Sequence, residues 1–111
     1  MAQTLLKPPF TAASDRADVI ARLKLHAPEI AAYLVTGLYL FGSAARDELS
    51  PESDIDVFID YDPDGPFSFV ELIRLGEFLQ LKLGRKVDLM TRAGLHRRLR
   101  ADIEKSSVRV F

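Results

Sequence analysis

The stretch from Leu38 to Asp60 constrains this chain more than any other. It opens as an apolar run, Leu38-Tyr39-Leu40-Phe41, that stops at Gly42-Ser43. Ten residues further on comes Asp54-Ile55-Asp56, where Ile55, Val57 and Ile59 begin to interleave with Asp54, Asp56 and Asp60. Side chains of a strand alternate between its faces. The pattern therefore predicts a strand over Asp54 to Asp60 whose Ile55, Val57 and Ile59 enter a core. Asp54 and Asp56 then stand side by side on the opposite face. Neighbouring carboxylates repel each other unless positive charge lies between them, and a hard divalent cation such as magnesium takes oxygen ligands. An Asp-x-Asp pair is by itself also an ordinary solvated strand face. Here it follows an apolar strand, a Gly-Ser turn and a short helix, which narrows the reading.

The flanking sequence supplies helices. Val19, Ile20 and Leu23 are spaced for one apolar helical stripe within Ser14 to His26. Pro28 breaks that helix and can open a second, short one carrying Ile30 and Leu34, with Gly37 as its end. A first strand is expected over Leu38 to Phe41 and a short helix from Ser43 to about Asp47. Asp62-Pro63-Asp64-Gly65-Pro66 has turn chemistry throughout. Ser68 and Glu71 form a capping box, with Phe67 and Leu72 at staple positions; Gly84 stands where a left-handed helix cap belongs. Between them Leu72, Leu75 and Leu79 line one helical face. A third strand over Lys86 to Met90 sets Val87 and Leu89 opposite to Asp88. A last helix is expected from about Ala93 to Lys105, anchored by Leu95, Leu99 and Ile103, and a closing strand over Val108 to Phe111. The expected fold is α+β, one small domain over 11–111, with a mixed sheet of three to four strands packed against helices. Residues 1–10, with one lysine and two prolines, read as an N-terminal arm rather than a signal peptide or membrane span.

At 111 residues the chain is long enough for one real core. Its lack of cysteine excludes disulfides and thiolate zinc sites and suits a reducing cytoplasm. The net charge of −1 hides an asymmetry. Arg46 to Asp64 carries eight acids against one arginine, whereas Lys82 to Arg109 carries nine bases against three acids. The acidic block suits cations. The basic block, with Arg97, Arg98 and Arg100 on the expected last helix, suits an acidic partner or plain water. A general nucleic-acid binder is more often basic overall.

Gly42-Ser43, at a strand–helix junction, suits phosphate through exposed amides and a hydroxyl; it is equally an ordinary turn with Ser43 as N-cap. Asp88 is either a third carboxylate of the Asp54/Asp56 set or a strand-edge acid paired with Lys86 or Arg85. If the third strand lies beside the second, Asp88 lands next to Asp54 and Asp56, and three converging carboxylates are not placed for stability.

Together these residues resemble the nucleotidyltransferase superfamily of DNA polymerase β and kanamycin nucleotidyltransferase. Its signature is Gly-Ser, about ten residues, Asp-x-Asp, and a later strand Asp. The nearer resemblance is to the minimal nucleotidyltransferase (MNT) branch, with Phe-Gly-Ser-x-Ala-Arg-Gly, Ser-Asp-Ile-Asp and Gly-Arg-x-Val-Asp-Leu. This chain has Phe41-Gly42-Ser43-Ala44-Ala45-Arg46, Ser53-Asp54-Ile55-Asp56 and Gly84-Arg85-Lys86-Val87-Asp88-Leu89. It departs at Asp47, where the family usually has Gly, and so adds a negative charge beside the phosphate site.

The resemblance implies transfer of AMP from ATP to a protein hydroxyl. Asp54, Asp56 and Asp88 would be the catalytic residues and ligands of two Mg²⁺ ions. Gly42, Ser43 and Arg46 would bind the nucleotide, although Arg46 could equally pair with Glu48 or Glu52. In this branch the partner is typically a HEPN-type RNase toxin, adenylylated on a tyrosine by the MNT antitoxin. An antitoxin that acts by occlusion alone is the competing class; a small-molecule or drug nucleotidyltransferase fits less well, since the chain has no room for an acceptor domain. Homo-oligomerisation stays open, and no membrane role is implied.

Overall fold

Four strands form one mixed sheet: β1 (Val35–Phe41), β2 (Ile55–Tyr61), β3 (Val87–Thr91) and β4 (Val108–Arg109), in the spatial order β3-β2-β1-β4. This is a computed structural model in which residues 11–111 are described; the arm expected over 1–10 lies outside them. β1 pairs antiparallel with β2 and β4, while β2 and β3 run parallel. The helices are α1 (Arg16–Leu25), α2 (Ala27–Ala31), α3 (Gly42–Ala45), α4 (Phe69–Leu83) and α5 (Arg100–Ser106), with a 3₁₀ turn over Arg92–Gly94.

Period-two alternation gives the sheet two different faces. Leu38 and Leu40 of β1 and Ile55, Val57 and Ile59 of β2 point into one core with Val19 and Leu23 of α1, Ile30 of α2, and Leu75, Leu79 and Leu83 of α4. Phe58 faces the other way and is also fully buried. It stacks on Tyr39 at 4.6 Å between ring centroids, with Phe41 at 5.9 Å. Asp56 and Asp60 share that second face with Phe58.

Local signals fix α4 as expected. The Ser68/Glu71 capping box is formed, and Gly84 ends the helix in the left-handed region at φ +61°. Phe67, beside the cap, stacks on Tyr61 at 4.5 Å.

Two expectations are corrected. Gly37 does not end a helix: α2 stops at Ala31, Leu34 turns the chain at φ +71°, and β1 has already begun at Val35. Gly37 lies opposite Asp60 beside a register shift, where a Cβ would come within 3.2 Å of the Tyr39 ring. The last helix is also shorter than Ala93 to Lys105. Thr91 accepts a hydrogen bond from the Gly94 amide to close the 3₁₀ turn, Leu95 is extended and buried, and α5 starts only at Arg100. Leu95 is thus buried from an extended backbone despite its helical spacing, and Arg97 and Arg98 fall in the turn before α5 rather than on a helix with Arg100.

Candidate active site

Parallel pairing of β2 with β3 sets Asp56 directly opposite Asp88. Asp54 stands one residue before β2, two positions from Asp56. Asp56 is half-buried, whereas Asp54 and Asp88 are exposed. Burial pushes the Asp56 carboxyl above the usual carboxylate range, and the charges of Asp88 and then Asp54 push it further the same way. Arg46 is the counteracting charge. The three acids singled out from sequence therefore form one electrostatic group. Among the described residues no three such side chains stand in metal-holding geometry. The arrangement is a set of repelling carboxylates gathered on one face, not a closed cage. Its donors are mutually repelling carboxylate oxygens, which fit a hard divalent cation.

Gly42 ties the two halves of the sequence pattern together. Phe41 pairs with Asp56 across β1 and β2, so the chain turns at Gly42 right beside that carboxylate. A Cβ on Gly42 would lie 2.3 Å from Asp56 Oδ2, and its φ of +66° is one that side-chain-bearing residues rarely adopt. Glycine is needed there for space and for conformation.

Ser43 is not the N-cap; Phe41 occupies that position, and Ser43 falls in the first turn of α3. Its carbonyl accepts the Glu48 amide at 2.8 Å. Of the partners open to Arg46, the structure takes Glu48: Nε donates to Oε1 at 3.1 Å, with both side chains more than half exposed. Pairs of that kind contribute little and exchange readily for other anions.

Asp47 adopts φ +57°, the left-handed region. That explains why a glycine suits this position and how an aspartate is tolerated, since Asp enters this region more readily than most residues. Its carboxylate turns toward α1, accepting the Arg16 amide at 3.0 Å, while Arg16 Nη1 donates to the Ala45 carbonyl at 3.0 Å. The charge expected to oppose phosphate is thus engaged at the start of α1.

The partners of two arginines escaped sequence reasoning, including Arg85, a candidate partner of Asp88 from sequence that instead binds main-chain carbonyls. Arg92 holds Asp60 through two bonds of 2.8 Å, and Arg85 binds three backbone carbonyls. The partners named lie 32 to 72 residues away, so no local signal marks those bonds. For Arg85 the Gly-Arg-x-Val-Asp-Leu motif was the one available hint.

The family model for the nucleotidyltransferase domain matches residues 18–110. The chain belongs to this family. Over 64 residues it is 45% identical to a Methanocaldococcus jannaschii protein classed as a protein adenylyltransferase, a stretch covering 58% of this chain and 64% of that protein. The match thus spans less than two thirds of that relative. A solved structure described as a minimal nucleotidyltransferase superposes with a TM-score of 0.75 at 26% identity, covering 86% of this chain and 95% of the other. A chain from the complex of a tri-AMPylated Shewanella oneidensis HEPN toxin with an MNT antitoxin superposes at TM-score 0.54 and 19% identity, covering 86% and 68%. At that identity the likeness shows a common fold. No helix among the described residues is long and apolar enough to cross a membrane.

Proposed function

We propose that this chain transfers AMP from ATP to a hydroxyl of a protein partner and acts as the antitoxin of a HEPN-type toxin, with 11–111 as the catalytic domain. The observation that carries the reading is Asp56. A half-buried carboxylate faces Asp88 across the sheet and has Asp54 two positions away; burial first, and then repulsion by those two acids, raises its pKa. A fold that needed only stability would place a cation there. The adenylyltransferase relative and the AMPylated-toxin complex support the same direction.

Asp54, Asp56 and Asp88 would hold two Mg²⁺ ions, which when bound neutralise charge on the attacking and leaving oxygens. The acceptor oxygen, a tyrosine hydroxyl in this reading, attacks the α-phosphorus. The bond from that phosphorus to the bridging oxygen breaks, pyrophosphate leaves, and the acceptor proton passes to Asp88. Gly42 lets the backbone run close to Asp56, Ser43 offers a hydroxyl to the phosphates, and Arg46 can leave Glu48 for a phosphate oxygen. A cysteine-free chain working on ATP suits the cytoplasm.

Calorimetry with ATP plus Mg²⁺ against ATP plus EDTA tests the site; equal binding would sink it. Intact-mass spectrometry of a co-expressed partner tests the role: a gain of one or more AMP units is expected, lost in Asp88→Asn. A partner neutralised equally well by that variant would replace catalysis with occlusion.

A further inference from the structure

Asp54 is the one member of the carboxylate set that lies outside a strand, so the sheet ladder alone does not fix it. Its backbone is nevertheless held on both sides. Ser53, just before it, gives its carbonyl oxygen to Arg85 Nη1 at 3.0 Å. Ile55, just after it, donates its amide to the Lys86 carbonyl at 2.9 Å. Both attachments come from consecutive residues of the turn that leads into β3, with Asp88 two residues further on. The same Arg85 Nη1 also reaches the Ser50 carbonyl at 2.8 Å, spanning the mouth of the loop. That loop is closed on itself by the Ser53 amide to the Ser50 carbonyl at 3.1 Å and the Ser50 amide to Ser53 Oγ at 2.9 Å. Arg85 Nε donates at 2.6 Å to the Ala13 carbonyl, and the Ala13 amide returns to the Leu83 carbonyl at 2.8 Å.

We propose that Arg85 is a positioning residue: by clamping the 50–53 loop it sets where Asp54 stands relative to Asp56 and Asp88. It touches no reacting atom. All three acceptors are main-chain carbonyls, from two separate segments, and only a rigid planar fork meets such a set; a lysine ammonium is a single point on a flexible stem. Groups that must converge on one ion are useful only when held to within about half an ångström. The inference rests on the carboxylates being the metal–nucleotide site.

The test compares the full-length wild type with Arg85→Lys and Arg85→Ala at a temperature where all are folded. In the apo protein, amide hydrogen exchange at Ser53 and Ile55 should quicken about tenfold or more in both variants, with Leu38 and Val110 unchanged. By calorimetry the affinity for ATP with Mg²⁺ should fall about 10–100-fold, the range for losing a group that orients a metal ligand, while binding of ATP with EDTA stays as in wild type. Lysine should not rescue either readout. A destabilised but correctly placed site would not lose metal-dependent affinity alone. Wild-type affinity and exchange in Arg85→Lys overturns the proposal, and so does unfolding of both variants, which would make the clamp structural only. A wild type that binds ATP equally with Mg²⁺ and with EDTA fails the site reading instead, and exchange at Ser53 and Ile55 then judges the clamp alone.

Discussion

Asp56 and Asp60 lie on the same strand and the same face, and their surroundings push them in opposite directions. Asp60 receives two bonds from Arg92 and one from the Tyr39 hydroxyl, which hold its carboxyl below the usual range. Arg92 also binds Glu104 of α5 at 2.6 Å and lies 4.9 Å over the rings of both Tyr39 and Phe58. Four residues earlier, Asp56 faces Asp88 and among the described residues has no such partner; its carboxyl is pushed up. The fold thus supplies a covalently attached cation at one end of β2 and leaves like charges together at the other. Two things separate them: Asp56 is the more deeply buried, which raises its pKa first, and Asp60 alone has the arginine. An acid that the chain itself neutralises serves the structure, and one left among its own kind is available to something added.

The strongest way to break the comparison is to neutralise the repelling end. Asp56→Asn and Asp88→Asn should each lower AMP transfer by more than the 10–100-fold or so that outer partners of a metal ligand contribute. Intact-mass assay of the acceptor reads this, and retained transfer in both would place the chemistry elsewhere. Gly42→Ala comes next. The left-handed φ costs about 1–2 kcal/mol for a residue with a Cβ, and the 2.3 Å clash must also displace the Asp56 carboxylate. Stability and Mg²⁺-dependent ATP binding should both drop. Gly84→Ala, at a similar φ in the cap of α4, should lower stability by a like amount without that clash against Asp56.

At the neutralised end, Asp60→Ala leaves Arg92 with Glu104 alone. The lost charge-assisted bonds, discounted for side chains about a third exposed, are worth roughly 1 kcal/mol, a fall in melting temperature of about 5 °C. An unchanged melting temperature would remove the contrast between the two acids.

The smallest effect has the opposite sign. A raised folded pKa means that the native state binds the Asp56 proton more tightly than the unfolded chain, so stability falls as pH rises through that raised value. At neutral pH the wild type carries this cost and Asp56→Asn does not. The variant should melt higher in metal-free buffer, an advantage that shrinks toward acid pH. Asp60 behaves inversely: its contribution is present above the unfolded carboxylate pKa and lost as pH falls through the lowered folded one. Melting curves across acid to neutral pH separate the two slopes, and a variant less stable than wild type throughout would make Asp56 a structural residue.

Sequence by itself determined the elements whose signals are local. The alternation of Ile55, Val57 and Ile59 with acids fixed β2 and its faces, the Ser68/Glu71 box and Gly84 fixed both ends of α4, and the spacing from Gly42-Ser43 to Asp54 and Asp56 brought out the carboxylate set. Such features are legible in short stretches of chain, without knowing which distant segments meet. Tertiary structure alone decided the rest. The parallel register that sets Asp88 against Asp56 was foreseeable only on the condition that β3 lies beside β2. The Arg92–Asp60 pair, the Arg85 clamp and the turn of Asp47 toward Arg16 join segments 31 to 72 residues apart. A long, flexible arginine can reach many acceptors, and which it finds depends on where the packed strands and helices bring distant backbone. Leu95 makes the same point from the apolar side: its spacing suited a helix, but the folded chain buries it from an extended backbone.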